Sequence, residues 1–182
     1  MQCPFHREAA AIKEISRQLD EGIVSRWDDN HPQDEPPPPS APGFFVAKRD
    51  PDSARLVVSF IGLNNVTERH VYPTPPADHL VADLNRGWRY FATLDCVKGF
   101  HQVELAEESR PLTAFTVSSP RAVAGTYYYN RLPMGLVGAT DAHDYRVYSA
   151  LSDVADRILH EDLLVGAESL AGLNDKLVAL LD

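Results

Sequence analysis

The sequence predicts an α+β fold, in which strands and helices are mixed rather than regularly alternating. Two amphipathic helical patterns, one near the N-terminus and one near residue 150, flank a series of short apolar segments with strand-like composition. A strand, a polar turn and a second strand follow, and a last helical pattern closes the chain. The 182 residues, 44% of them apolar, suffice for one large domain or two small lobes that share one core.

The first predicted helix covers residues 8–22 and ends at Gly22. Its apolar residues recur at roughly helical spacing, namely Ile12, Ile15, Leu19 and Ile23. The next segment, residues 27–43, contains the four consecutive prolines Pro36 to Pro39, which cannot join a helix or the interior of a sheet. We therefore predict an extended, polar and mobile loop there.

Short apolar segments in the middle of the chain predict strands. Residues 44–47 and 56–60 flank the turn-forming run Asp50-Pro51-Asp52-Ser53, which indicates a β-hairpin with basic residues at its tip. Residues 90–94 predict a buried strand. Further strands are expected at 103–105, 114–117 and 126–130, and a short helix at Ala77 to Leu84.

The last third of the chain combines a helix, a hairpin and a helix. The first helix is indicated by an apolar stripe over residues 145–158, and the last covers residues 169–181. Between them, two apolar segments, Ile158-Leu159 and residues 163–165, flank the polar turn His160-Glu161-Asp162.

Charge and cysteine content limit the function classes. The net charge of −9 opposes nucleic acid as a partner, because binding to a phosphate backbone favours a basic surface, although net charge does not describe a local groove. Cys3 and Cys96 cannot form a disulfide framework, which fits a reducing compartment. Without a secretory signal or an apolar run long enough to span a membrane, we expect a cytoplasmic protein, with a virus-like particle or the nucleus as alternatives.

Three carboxylates stand out by their context. Asp95 directly follows the apolar segment 90–94, while Glu161 and Asp162 lie at the tip of the predicted hairpin. Together they could hold two divalent cations in oxygen ligands, the arrangement that supports in-line phosphoryl transfer. From spacing alone, however, solvated acidic turn residues are the more common explanation.

A family resemblance changes this balance. The segment Phe91 to Gln102, FATLDCVKGFHQ, resembles the first catalytic motif of gypsy-like LTR-retrotransposon reverse transcriptases, in which an apolar strand ends in a metal-binding aspartate. Other segments resemble the same family in the same order, namely residues 19–23, 44–50, 55–58, 62–67, 71–75, 112–115, 132–136 and 159–165.

The resemblance implies the fingers and palm of a right-hand polymerase, with an antiparallel palm sheet packed on helices. It implies one continuous domain, divided into a lead-in helix, a Pro-rich loop, a part that is mainly fingers and a part that is mainly palm, at residues 1–26, 27–43, 44–90 and 91–182. The family's thumb would follow Asp182, so we expect it to be absent from this chain.

The resemblance also implies an RNA-directed DNA polymerase, a nucleotidyltransferase that adds dNTPs to an RNA or DNA template-primer. Asp95, Glu161 and Asp162 would be its catalytic residues and would bind two Mg²⁺ ions, or Mn²⁺ in their place. Other segments of a Pol polyprotein are expected partners, and a membrane is not.

Nucleotide-binding roles follow from the same resemblance. Lys48 and Arg55 would bind the triphosphate, and the backbone amides of Lys98 and Gly99 would face the phosphates. The Phe100 ring would leave no room for a ribose 2′-hydroxyl. Met134 would line the pocket. Each residue also has an explanation that does not need the resemblance. Lys48 and Arg55 would then be solvated charges on the hairpin, Gly99 a turn residue, and Phe100 and Met134 core residues.

Several positions depart from the family pattern. Its Tyr-x-Asp-Asp is Leu159-His160-Glu161-Asp162 here, so that a longer side chain replaces the first aspartate, and its fingers Asp-Tyr-Arg is Ser59-Phe60-Ile61. His143 and Asp144 replace an apolar residue and a glutamine, and neighbours in a helix are not expected to face each other. Two hypotheses therefore stay open: an active polymerase domain, or a catalytically degenerate relic that serves as a binding or structural module.

Overall fold

A computed structural model describes residues 8–32, 34–50, 52–73, 87–153, 157–159 and 162–181. The chain divides into two compact units. The first comprises the described residues up to Glu68 together with His101–Val137, and the second comprises Arg69–Phe100 and the residues from Gly138 onward. The units are interleaved along the sequence, and the linear division into mainly fingers and mainly palm stays a prediction.

The regular elements are six helices and eight strands in the part of the chain that the structure describes. In chain order they are α1 (Glu8–Asp20), β1 (Val24–Arg26), α2 (Trp27–Asn30), β2 (Ala41–Ala47), β3 (Ala54–Val58), α3 (Ile61–Asn64), β4 (Tyr90–Asp95), α4 (Gly99–Gln102), β5 (Phe115–Val117), β6 (Gly125–Tyr129), α5 (Ala139–Leu151), β7 (Arg157–Leu159), β8 (Asp162–Ala167) and α6 (Leu170–Leu181). Two 3₁₀ turns, Glu107–Thr113 and Arg121–Val123, flank β5. None of the helices in the described part of the chain has the length and apolar character to span a bilayer.

The first unit is a five-stranded sheet covered by α1. The strand order is β1-β6-β5-β2-β3, with β2 and β5 parallel and the other pairs antiparallel. Ile15 of α1 and Phe115 of β5 are fully buried in its core, next to Tyr127. The helix ends at Asp20, two residues before the predicted Gly22, and a turn follows in which Gly22 has a φ of +65°. The Ile23 amide donates to the Gln18 carbonyl at 2.9 Å.

The second unit is a three-stranded antiparallel sheet, β4-β8-β7, packed on two helices. Leu163 of β8 packs against α5 residues, among them Val147 and Leu151. Val165 of β8 is fully buried against Leu173 of α6. This arrangement confirms the predicted antiparallel sheet on helices.

Most predicted elements are confirmed. The β2–β3 hairpin, the β7–β8 strands, β5, β6 and the C-terminal helix lie where the patterns placed them. In the hairpin turn, the Asp50 carboxylate accepts hydrogen bonds from the Asp52 amide and the Ser53 hydroxyl. The predicted helix Ala77 to Leu84 lies outside the described residues.

Four predictions are wrong because long-range contacts outweigh local patterns. The loop predicted over 27–43 is irregular only at 31–32 and 34–40 among the described residues, because buried Trp27 anchors α2 and Ala41–Gly43 pair with β5. The strand over 90–94 is an edge strand rather than a buried one, with Phe91 44% exposed. Residues 103–105 form an isolated bridge instead of a strand. The helix expected over 145–158 begins at Ala139 and ends at Leu151, and Ile158 pairs with Leu163 in the sheet.

Candidate active site

The centre of the candidate site is a pair of aspartates on neighbouring strands. Asp95 is the last residue of β4 and Asp162 the first of β8, and the antiparallel register pairs them directly. Directly opposed residues share one face of a sheet, with Cβ atoms about 4.5–5.5 Å apart. Both aspartates are exposed. The fold therefore brings together two carboxylates from distant parts of the sequence.

Packing on the other face of the sheet fixes this pair. Alternation along the strands turns Leu94 and Leu163, the next registered pair, toward the helices. Leu163 is 4% exposed and Val165 is fully buried, so the register cannot slip without exposing apolar side chains. Burial of these leucines and valines positions the two aspartates.

The third candidate ligand, Glu161, lies outside the described residues. It directly precedes Asp162 in the sequence. Within the ranges that the structure describes, no group of three histidine, cysteine, aspartate or glutamate side chains is arranged to hold a metal ion. The described part of the site thus consists of two carboxylates.

A tight turn connects Asp95 to α4. Lys98 has a φ of +54°, and the Gly99 amide donates to the Cys96 carbonyl at 3.1 Å. A phosphate at the Gly99 amide would have to replace this hydrogen bond. Gly99 is buried, while Lys98 is exposed.

Phe100, in α4, lies against a buried histidine of α5. The rings of Phe100 and His143 are stacked, with centroids 5.0 Å apart and an interplanar angle of 24°. His143 and Asp144 are each 1% exposed. The expectation that these two neighbours do not face each other is wrong, because His143 Nδ1 lies 3.5 Å from Asp144 Oδ1.

Asp141 anchors the first turn of α5. Its carboxylate accepts hydrogen bonds from the Arg69 guanidinium, at 2.7 and 3.2 Å, and from the Tyr72 amide at 2.9 Å. The Arg69 hydrogen bonds and the Tyr72 amide lower the pKa of the Asp141 carboxyl. The helix that carries His143 is therefore held at its N-terminal end by a segment far away in sequence.

The candidate triphosphate ligands lie on the β2–β3 hairpin of the first unit. Arg55 is exposed and pairs across the hairpin with Val46, and Lys48 is exposed at its tip. Burial alone would raise the pKa of the Glu14 carboxyl, but hydrogen bonds from Arg17 and Gln18 and the charges of Arg17 and Lys48 lower it overall. The Lys48 charge thus already stabilises an anion on α1.

Met134 lies in a loop that one asparagine side chain holds. The Asn64 Nδ2 atom donates a hydrogen bond to the Gly135 backbone carbonyl at 2.9 Å. The Asn64 Oδ1 atom accepts one from the Val137 backbone amide at 2.8 Å. Met134 itself is 57% exposed. Both polar atoms of the Asn64 side chain are used, so the loop has a defined position within the first unit.

Residues 46–173 match the family model described as reverse transcriptase (RNA-dependent DNA polymerase). The chain belongs to the reverse transcriptase family. The retrovirus-related Pol polyprotein from transposon 297 of Drosophila melanogaster is 33% identical over 137 residues, which cover 72% of this chain and 12% of that protein. The Pol polyprotein from transposon opus of the same species is 31% identical over 166 residues, covering 85% of this chain and 15% of that protein.

The fold of this reverse transcriptase domain is also found in a solved structure. The foamy viral protease-reverse transcriptase in complex with double-stranded DNA superimposes with a TM-score of 0.79 at 17% identity, covering 100% of this chain and 30% of that chain. This likeness confirms the predicted α+β polymerase fold. The family match and the two Pol polyproteins confirm the retrotransposon resemblance. The domain spans only a small fraction of the Pol polyproteins that it matches.

Reverse transcriptases use divalent metal ions, and the described residues of this domain fit such ions by their chemistry. Asp95 and Asp162 present carboxylate oxygens, the donors that Mg²⁺ prefers, on one exposed face. Two like charges opposed across a strand pair are unfavourable on their own, and a cation between them removes that cost.

The structure places the sequence-predicted residues in two groups. Asp95, Asp162, Lys98, Gly99 and Phe100 belong to the second unit. Lys48, Arg55 and Met134 belong to the first.

Sequence reasoning missed Asn64, Asp141 and the contact of His143 with Phe100. Asn64 lies in a segment, residues 62–67, that resembled the family only as a connection. Asp141 is an acidic residue in the first turn of α5, and this position in the sequence could have indicated that it stabilises the start of the helix.

Proposed function

We propose that this chain is the fingers-and-palm part of an RNA-directed DNA polymerase that adds deoxynucleotides to a primer on an RNA or DNA template. The observation that carries the proposal is the pairing of Asp95 with Asp162 at the exposed end of the sheet. These two residues and Glu161 would hold two Mg²⁺ ions, or Mn²⁺ in their place.

The proposed reaction is an in-line nucleotidyl transfer. The primer 3′-hydroxyl would lose its proton to solvent as its oxygen forms a P–O bond to the α-phosphorus of the dNTP, and the bond to the pyrophosphate leaving group would break. Asp95, Asp162 and Glu161 would hold the ions, whose chemistry would be to make the primer hydroxyl more acidic and to neutralise charge on the phosphoryl oxygens. The protein's own contribution is to hold the carboxylates in a fixed register and to orient the nucleotide.

Several further residues are proposed to contact the nucleotide. Lys48 and Arg55 would bind the triphosphate, and exposure of both side chains supports this role. Lys98 and Gly99 would offer backbone amides, and Met134 would line the pocket. The Phe100 ring would exclude a ribose 2′-hydroxyl.

Nucleic acid is the proposed partner, with other segments of a longer Pol polyprotein. The similar foamy viral structure contains double-stranded DNA, which supports this partner. The net charge of −9 weakens non-specific attraction to phosphates. Binding would therefore depend on local cations and on segments beyond this domain.

A second candidate is a catalytically degenerate domain that acts as a binding or structural module. The observation that favours it is Glu161, which stands in place of an aspartate. Its extra methylene moves the carboxylate by about 1–1.5 Å, and a misplacement of about 1 Å can cost on the order of 100-fold in rate.

Primer extension on an RNA template with Mg²⁺ or Mn²⁺ tests both candidates. An active polymerase incorporates dNTPs, and Asp95→Asn lowers the rate about 100-fold or more because it removes a metal ligand. Incorporation that survives Asp95→Asn, or none from either protein, would contradict the polymerase proposal. If only Glu161→Asp is active, the natural chain is the degenerate module.

A further inference from the structure

We propose that His143 is the positioning residue that sets the tilt of the Phe100 ring, and through it the selection of deoxynucleotides over ribonucleotides. This inference rests on the proposed function, in which Phe100 lies against the sugar. It assigns a role to a buried histidine at a position where the family resemblance predicts an apolar residue.

The first support is the geometry of the stacked pair. The 5.0 Å centroid separation and 24° interplanar angle place the His143 ring flat beneath Phe100. Phe100 is half-buried, whereas His143 is 1% exposed. One face of the Phe100 ring therefore packs on a side chain that the protein encloses.

The second support is the difference between the two helices that carry these rings. Phe100 lies on α4, a single turn of four residues after a strained Lys98. His143 lies on α5, which has 13 residues and whose first turn is anchored by Asp141. A helix of one turn, such as α4, is only weakly stable by itself. The longer and anchored α5 therefore determines where the Phe100 ring lies.

The third support is the polar cost of keeping a histidine there. His143 Nδ1 is buried without a hydrogen-bond partner among the described residues, 3.5 Å from Asp144 Oδ1. A buried polar atom left in this way is unfavourable, and an apolar side chain would avoid the cost. Unfavourable local features of this kind concentrate at functional sites. The buried His143 ring therefore fits a residue retained for its shape and position.

The consequence concerns the space above Phe100. If the ring beneath it is replaced by a smaller or flexible side chain, Phe100 can sink toward α5. The distance between the ring edge and the sugar then increases, and a ribose 2′-hydroxyl is accommodated. His143 would thus act through Phe100, without touching the nucleotide itself.

The test compares incorporation of dNTPs and rNTPs by His143→Leu, His143→Phe and the natural protein. His143→Leu should lower the preference for dNTPs by about two- to tenfold, the range to which the stacking energy of an aromatic pair corresponds. His143→Phe keeps a flat ring and should retain the preference. Ser149→Ala, an exposed change on the same helix, is the matched control and should change nothing.

Two further measurements separate positioning from general stability. In a Phe100→Ala background, His143→Leu should have no further effect on the preference, since the ring through which it acts is gone. An unchanged preference in His143→Leu alone, or an equal loss in both backgrounds, would overturn the inference.

NMR of ring-labelled phenylalanine gives an answer that does not depend on activity. The Phe100 resonances should shift in His143→Leu and stay close to the natural positions in His143→Phe. If they do not move in His143→Leu, the inference fails even in an active enzyme. If they move but the natural protein incorporates neither kind of nucleotide, it is the proposed function that fails, together with the role in sugar selection.

Discussion

The β2–β3 hairpin and the β4–β8 strand pair are both antiparallel, but their charged residues face different partners. Each is an antiparallel pair with one face against a core. On the hairpin, Arg55 lies opposite the apolar Val46, and the Asp50 charge is taken up by hydrogen bonds of the turn. On β4–β8, Asp95 lies directly opposite Asp162.

The two strand pairs differ in how their charges are arranged and in what holds their register. The hairpin is closed by a local turn and its charges are dispersed, so its register is specified by neighbouring residues. The β4–β8 pair places like charges together, which opposes the pairing, and the burial of apolar residues such as Leu163 and Val165 holds it in register.

The largest expected effect compares a glycine in each strand pair. In Gly43→Ala, the new Cβ would lie 2.9 Å from Cδ2 of the fully buried Phe115, which should cost about 1–3 kcal/mol of unfolding free energy. In Gly166→Ala the new Cβ would meet the Trp88 ring, which is only half-buried and can swing away. That change should cost less, mainly the contacts of Trp88 with Lys176 and with Phe91, about 0.5–1 kcal/mol each.

Urea unfolding of both variants checks this order. Gly62→Ala, where no heavy atom lies within 4 Å of the new Cβ, is the control and should not lower stability. A loss in Gly166→Ala that equals the loss in Gly43→Ala would mean that Trp88 is as rigidly held as Phe115.

A smaller effect is expected at the aspartate pair. In the presence of a chelator, Asp95→Asn should raise the unfolding free energy by about 0.2–1 kcal/mol, because it removes one of two opposed like charges. Mg²⁺ should raise the melting temperature of the natural protein more than that of the variant. Arg55→Gln, on the hairpin, serves as the control and should leave the Mg²⁺ response unchanged. An equal Mg²⁺ response in Asp95→Asn would contradict the proposed site.

The smallest effect concerns the hairpin turn. Hydrogen bonds from Ser53 and the Asp52 amide lower the pKa of the exposed Asp50 carboxyl. The ionised carboxylate therefore stabilises the turn above the ordinary aspartate pKa, and this contribution is lost as the pH falls through the lowered folded value. An NMR titration should show the lowered pKa, and Ser53→Ala should move it back toward the ordinary value. No change in Ser53→Ala would assign the shift to the backbone hydrogen bond alone.

The sequence by itself determined the elements whose causes are local. Helical spacing and Gly22 specify α1, and the run from Asp50 to Ser53 specifies the hairpin turn. The apolar segment that ends in Asp95, with the ordered motifs around it, was enough to identify the reverse transcriptase family and to select Asp95 and Asp162 as candidates.

Only the tertiary structure decided what depends on distant partners. The register that opposes Asp95 and Asp162, the exposure of β4 and the pairing of Ala41–Gly43 with β5 all arise from burial of apolar faces, which a single segment does not encode. The stacking of Phe100 on His143 likewise joins two distant segments. Local sequence patterns identify Asp95, Asp162 and Phe100 as candidates. The packing of distant segments determines which residues lie next to each of them.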